Sequence, residues 1–254
     1  MYELDAGAAG PIRSQTVVWT VDLDRCGNLW TSAIGLVSDA TRERAMRRLH
    51  PRDRARTVIA EFLLLALLDH TRGSTGRSPC RTIVERDKRG KPVLNPDDGV
   101  HVSISHSGRA VTVAISPEEI GVDVQSRGIS GPWLEWSMTP QERLMWTDRE
   151  DNRYAFRCWC RKESLLKMLG VGLTVDPRGV DCWQTAGVRL YPEVAASPVF
   201  FTELEPFPEH LLVVATRNAV DVNVCNVTDR AVGVLEERSG ASASDAWSLI
   251  PLDL

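Results

Sequence analysis

Apolar and polar positions alternate over residues 17–23, as in a strand with one face on a core. Over residues 39–68 the period lengthens to that of a helix, interrupted near Pro51, with Ile59, Phe62, Leu63 and Ala66 on one stripe. From Lys88 the pattern becomes short and extended: Arg89-Gly90-Lys91-Pro92 predicts a turn, Val93-Leu94 a short strand, and residues 95–99 a second turn. Residues 101–105 then alternate with Val102 and Ile104 inward. Ser107-Gly108-Arg109 reverses the chain into residues 110–115, and Ser116-Pro117-Glu118 reverses it again into residues 120–125. The three strands are expected to pair as a meander.

Residues 126–136 hold Gly128, Gly131 and Pro132, which disfavour helix, and the segment reads as a mobile loop. Thr139-Pro140-Gln141-Glu142 opens a helix: a threonine N-cap, proline at the first helical position, and a glutamate able to close a capping box. A longer helix is predicted over residues 152–169, stopped by Gly170. Short strands follow at 188–191, 199–204 and 211–216. Beyond Val224 the low-complexity run at 239–244 suggests a loosely held tail over 226–254.

Composition narrows the function classes. With 43% apolar and 25% charged residues in 254, the chain can bury a substantial core, and its net charge of −4 argues against holding nucleic acid by charge alone. Any anion site must then be local, and Arg42, Arg44, Arg47, Arg48, Arg52, Arg54 and Arg56 face only Glu43 and Asp53 nearby, so either a basic patch or a solvated helix face fits. Residues 1–15 resemble no signal peptide, and the longest apolar run, 62–68, is too short for a bilayer span, so a cytoplasmic protein is expected. The six cysteines form no Cys-x-x-Cys pair and are expected to be free thiols.

Candidate chemistry sits in two places. In the strand at 120–125, Ile120, Val122 and Val124 point to the core, which leaves Asp123 and Gln125 side by side on the other face, two oxygen ligands able to share one cation. On the 152–169 helix, Glu163 falls inside the stripe of Phe156, Trp159, Leu166 and Gly170, where an apolar residue is expected, and Lys167 lies one turn away. A simple Glu/Lys helix pair also explains that spacing. Hard Mg²⁺ favours one or two carboxylates plus substrate phosphates, which Asp123, Glu163 and a pyrophosphate would supply.

The order Gly-Lys-Pro (90–92), Ser-His-Ser (105–107), Gly-Val-Asp-Val (121–124) and Trp-x-x-Lys-Glu-Ser-x-x-Lys (159–167) resembles the 4′-phosphopantetheinyl transferases of the Sfp type, over residues 42–216. The resemblance implies an α/β (α+β) fold: a pseudo-twofold pair of similar α/β halves, here 1–118 and 119–225, with coenzyme A in the cleft between them. It implies an Mg²⁺-dependent monomer, with Mn²⁺ as the alternative ion, that moves the 4′-phosphopantetheine arm of coenzyme A to a serine of an acyl or peptidyl carrier protein, with secondary metabolite biosynthesis as its setting. Carried over by position, Asp123 and Glu163 match metal ligands, with Gln125 where many relatives have a second acidic strand ligand. Lys167 matches a pyrophosphate contact; Ser105 and His106 match phosphate contacts; Lys91 and Pro92 match the adenine and ribose side. Arg44, Arg47 and Arg56 fall where basic contacts to the 3′-phosphate are placed, with Arg48 as a substitute, and Glu142 resembles the acid that opens the preceding helix. Glu163 is the candidate general base. Trp133 and Trp136 are candidates for a hydrophobic edge that receives a partner helix. A degenerate coenzyme A-binding module and a nucleic-acid binder built on the arginine helix are the competing classes.

Overall fold

The computed structural model describes residues 15–71, 84–94, 99–127, 132–147, 152–183, 189–190 and 198–239. The chain opens with β1 (Thr16–Asp22), the short helices α1 (Leu23–Cys26) and α2 (Trp30–Ala33), then α3 (Asp39–Met46) and α4 (Pro51–Thr71). Next come β2 (Glu85–Arg86), β3 (Pro92–Val93), β4 (His101–Ser107), β5 (Ala110–Ser116) and β6 (Ile120–Ser126). Helices α5 (Pro132–Trp136), α6 (Pro140–Met145) and α7 (Arg153–Met168) follow, then β7 (Val180–Asp181), β8 (Arg189–Leu190), β9 (Phe200–Leu204), β10 (His210–Thr216), β11 (Val222–Asn226) and α8 (Thr228–Ser239). The helical stretch expected over 39–68 is two helices, split before Pro51, because Ser38 caps the first and proline suits the first turn of the second.

Two sheets form the centre, ordered β11-β1-β5-β4 and β6-β10-β9. β1 and β5 are rich in β-branched residues and buried along their whole length, as strands covered on both faces should be. One face of the first sheet packs on α4, where Val58, Ile59, Phe62, Leu63 and Leu67 meet Trp19, Val21, Val111 and Val113. Its other face supplies Val18, Ala110 and Ala114 to a core shared with Ile120, Val122, Val124, Leu212 and Val214 of the second sheet. The far face of that sheet is covered by α7 through Leu165, Leu166 and Met168 against Val180, Val199 and Ala215. The result is a mixed α+β arrangement with the two long helices outside and the sheets between them.

Three expectations are corrected. β6 does not continue a meander from β5: both edges of β5 are taken, by β1 and β4, so β6 pairs antiparallel with β10 instead. The segment expected to be a mobile loop contains α5, whose Leu134 is buried with Met138, Trp146, Ala155 and Cys158; residues 128–131 lie outside the described part. The C-terminal stretch expected to be loosely held instead returns to the first sheet. β11 runs parallel to β1, and α8 follows it to bury Ala231, Val234 and Leu235, while residues 240–254 lie outside the description. Cys26, Cys158, Cys160, Cys182 and Cys225 are free thiols, and Cys80 is outside the described residues. No described helix is long and apolar enough to cross a membrane.

Candidate active site

β4 and β6 lie side by side at the junction of the two sheets, yet they belong to different hydrogen-bonded sheets. Serine hydroxyls connect them: Val122 N donates to Ser103 Oγ at 3.0 Å, Val124 N to Ser105 Oγ at 3.1 Å, and Ser126 N to Ser107 Oγ at 3.2 Å. Ser103, Ser105 and Ser107 thus replace backbone carbonyls as acceptors. α4 and α7 flank this seam. Between them opens a cleft of about 520 Å³, whose floor carries Ser105, His106, Asp123, Gln125, Glu163 and Lys167.

A glycine makes the floor possible. A Cβ at Gly121 would lie 1.9 Å from the Ser164 carbonyl oxygen and 2.4 Å from the Met168 nitrogen, so only glycine lets β6 rest directly on the backbone of α7. That approach brings Asp123, two residues on, within reach of the polar side chains of α7. Lys167 Nζ donates to Asp123 Oδ1 at 2.6 Å and to Ser105 Oγ at 2.9 Å, and Ser105 Oγ donates to the same Asp123 oxygen at 2.9 Å. Gln125 Nε2 donates to Asp123 Oδ2 at 3.1 Å, so the amide, not the carbonyl, faces the aspartate. Asp123 is buried.

Glu163 stands one helical turn before Lys167. Burial first, and the Asp123 charge second, raise its carboxyl to about 7 despite the opposing pull of Lys167. Its Oε1 is buried and has no hydrogen-bond partner among the described residues. Two coupled carboxylates, one with an orphaned oxygen, form a hard oxygen donor set that fits a magnesium-like ion completed by waters and phosphate. No group of three or more His, Cys, Asp or Glu side chains is placed to hold a metal among the described residues, so protein ligands alone would not complete a shell.

The walls are basic. Arg44, Arg48, Arg86, Arg89 and Lys91 line the cleft. Desolvation lowers Arg44, with Arg48 repelling and Glu61 opposing, and desolvation followed by repulsion from Arg44 lowers Arg86. Such crowding of like charge is relieved by an anion. Lys91 reaches across to the C-terminus of α7, donating from Nζ to the Met168 carbonyl at 2.8 Å, and desolvation lowers its pKa. Packing around the His106 ring, then the Arg56 and Lys167 cations, push its pKa down to about 4, although its side chain stays open to solvent at the cleft.

Of the residues singled out from the sequence, Arg44, Lys91, Pro92, Ser105, His106, Asp123, Gln125, Glu163 and Lys167 line one cleft, as does Arg48. Arg47 does not: it is exposed and paired with Glu43. Arg56 is absent from the lining as well, held by Asp53 and the Gly108 carbonyl. Ser105 differs from the expectation of a direct phosphate contact, because its single donor and both acceptor sites are engaged by Asp123, Val124 and Lys167. Arg86 and Arg89 were missed. Their signal was the basic density of Arg86-Asp87-Lys88-Arg89-Gly90-Lys91, which reads first as a turn.

Glu142 turns inward instead of toward the cleft. Thr139 and Glu142 form the expected capping box, and the Glu142 carboxylate also accepts from Cys182 N and pairs with Lys162, both side chains fully buried. Trp133 packs edge-on against Trp159 with ring centroids 4.8 Å apart, while Trp136 stays half exposed with Arg178 over its ring.

Residues 119–216 match the family model of the 4′-phosphopantetheinyl transferase superfamily, a span that includes Asp123, Glu163 and Lys167. The chain is 27% identical over 187 residues to the 4′-phosphopantetheinyl transferase Sfp of Bacillus subtilis, covering 71% of this chain and 82% of that protein. A second Bacillus subtilis protein, 4′-phosphopantetheinyl transferase ffp, is 28% identical over 189 residues with the same coverage. The human L-aminoadipate-semialdehyde dehydrogenase-phosphopantetheinyl transferase is 26% identical over 165 residues, 57% of this chain and 52% of that one.

Proposed function

We propose that this chain, which matches the 4′-phosphopantetheinyl transferase superfamily over residues 119–216 and is similar to the Sfp-type enzymes, transfers the 4′-phosphopantetheine arm of coenzyme A to a serine of a carrier protein. The observation that carries the reading is the meeting of Asp123, Glu163 and Lys167 at the floor of a cleft with basic walls. A pyrophosphate and a ribose phosphate are the anions such walls suit.

Transfer forms a bond from the carrier serine oxygen to the phosphorus that bears the pantetheine arm and breaks the bond from that phosphorus to the bridging oxygen. Adenosine 3′,5′-bisphosphate leaves. Glu163 takes the serine proton, the role of a general base placed beside Lys167 at the cleft floor. Lys167, held by Asp123 and Ser105, places an ammonium where negative charge collects on the diphosphate. Arg44, Arg48, Arg86 and Arg89 hold the anionic nucleotide end, and His106 and Lys91 line the path between. Asp123 and Glu163 would hold Mg²⁺, which when bound neutralises pyrophosphate oxygens. We assign the protein to the cytoplasm, where coenzyme A and carrier proteins meet, and take it to act as a monomer.

The test is mass spectrometry of apo-carrier proteins, both acyl and peptidyl, incubated with coenzyme A, Mg²⁺ and the protein. A mass increase equal to the phosphopantetheine arm, lost on chelation and regained with Mg²⁺, supports the reading. Coenzyme A binding with no change in mass for any carrier leaves a binding module and refutes transfer.

A further inference from the structure

We propose that Ser105 is a positioning residue: its hydroxyl fixes the Asp123 carboxylate and the Lys167 ammonium before the substrate arrives, an inference that rests on the transferase reading for its catalytic consequence. The ladder that joins the two sheets supplies the contrast. Ser103, Ser105 and Ser107 each accept one backbone N–H of β6, always from the residue 19 positions ahead, so the two strands run parallel in fixed register. As links of the seam the three are equivalent. Only Ser105 also bonds to functional side chains, donating to Asp123 Oδ1 and accepting from Lys167 Nζ, both at 2.9 Å.

The geometry leaves that hydroxyl a single orientation. Val124 N and Lys167 Nζ occupy the acceptor positions, so its proton must point to Asp123. Asp123 Oδ1 therefore receives a hydroxyl and an ammonium from fixed directions, and Gln125 holds the other oxygen. Lys167 spans from α7, one side of the cleft, to a strand pair anchored in both sheets. Without the hydroxyl, Asp123 alone among the described residues ties its flexible stem to the floor. The seam thus does two jobs at one position: it registers the halves, and it sets the cation and carboxylate that face the diphosphate.

Ser103→Ala and Ser105→Ala separate the two jobs, because each removes one acceptor of a β6 N–H and only the second removes bonds to Asp123 and Lys167. Both variants should lose similar thermal stability. Ser105→Ala should lower kcat by about tenfold or more with a smaller change in the coenzyme A KM, Ser103→Ala should leave both within about twofold, and Ser105→Thr should recover much of the loss. Crystal structures of the two alanine variants give a readout independent of turnover: Asp123 or Lys167 should leave its present position in Ser105→Ala and keep it in Ser103→Ala. Unmoved Asp123 and Lys167 in Ser105→Ala, or equal loss of kcat in both variants, overturns the proposal. If the unaltered protein modifies no carrier, the transferase reading fails, and the crystal structures still decide the positioning role.

Discussion

Glu142 and Lys162 form an ion pair with no access to water, Oε2 to Nζ at 2.5 Å, in which the ammonium also donates to the Ser137 and Pro177 carbonyls. The carboxylate in turn accepts from Thr139 N and Cys182 N, so the start of α6 and the segments at Ser137, Pro177 and Cys182 are tied to one charge pair on α7. Removing one partner leaves the other buried and uncompensated. Glu142→Ala should therefore cost about 3–5 kcal/mol, read from urea denaturation, and a Glu142→Leu/Lys162→Met double variant should recover a large part of it. If the double variant is less stable than either single one, the pair contributes more than its own neutralisation.

Glu163 carries a stability cost with a defined sign. Its carboxyl titrates at about 7 in the folded chain against 4.5 ordinarily, so the unfolded chain loses its proton first and stability falls as pH climbs through that window. Glu163→Gln removes the cost. It should leave stability at about pH 4 unchanged and raise it by about 1–2 kcal/mol near pH 8, measured by thermal melts at both values. The same variant should lose transfer activity by about 10²-fold or more while still binding coenzyme A.

His106 shifts the other way. Desolvation and the neighbouring Arg56 and Lys167 hold it at about 4, so it is neutral through the physiological range and the fold is weakened only as acid forces a proton onto it. A phosphate beside the ring would reverse that balance by favouring the imidazolium. NMR titration of the His106 ring should show it neutral at about pH 6 in the free protein and protonated in part when coenzyme A is bound. No change in its titration on binding would place the phosphates elsewhere.

Gly121 is the contact point of strand and helix. Gly121→Ala places a methyl group inside the Ser164 carbonyl and the Met168 amide, both backbone, so α7 must move away from β6. We expect destabilisation of about 3 kcal/mol or more, and any soluble fraction should bind coenzyme A poorly because Lys167 and Asp123 no longer meet. Circular dichroism melts with calorimetric titration of coenzyme A measure both effects.

Arginines of the cleft and of the helix surface should part company. Arg48→Ala and Arg86→Ala each remove a cation that lines the cleft and should raise the coenzyme A dissociation constant by about tenfold at low salt, less at high salt. Arg47→Ala, which breaks only an exposed pair with Glu43, should change it by less than about twofold. Equal effects from Arg47 and Arg48 would move the anion site to the exposed surface just past the C-terminus of α3.

Local signals made part of this molecule legible. The Pro51 break, the Thr139–Glu142 box and the stop at Gly170 are each written within a few residues, and the structure has α4, α6 and α7 where those signals put them. Strand periodicity set Asp123 apart from Val122 and Val124, and helical spacing put Glu163 one turn from Lys167. Partner choice was not local. Ser103, Ser105 and Ser107 look like the wet face of a strand, since nothing nearby in sequence reveals that β6 will bring its N–H groups to them. β11 is short and polar at alternate positions, and its neighbour lies at the opposite end of the chain. Arg86 and Arg89 escaped notice because a turn rich in cations has an adequate explanation as a turn.

The pairing of Thr16 with Val222 has a temporal consequence. A ribosome delivers β1 first and its outer neighbour some two hundred residues later, so throughout most of translation the opening strand has a bare flank able to recruit other nascent chains. The first sheet cannot be finished until β11 has been made. Completion of that sheet is thereby tied to release of nearly the whole polypeptide, and a message cut short after β10 would yield a sticky fragment instead of a smaller working unit.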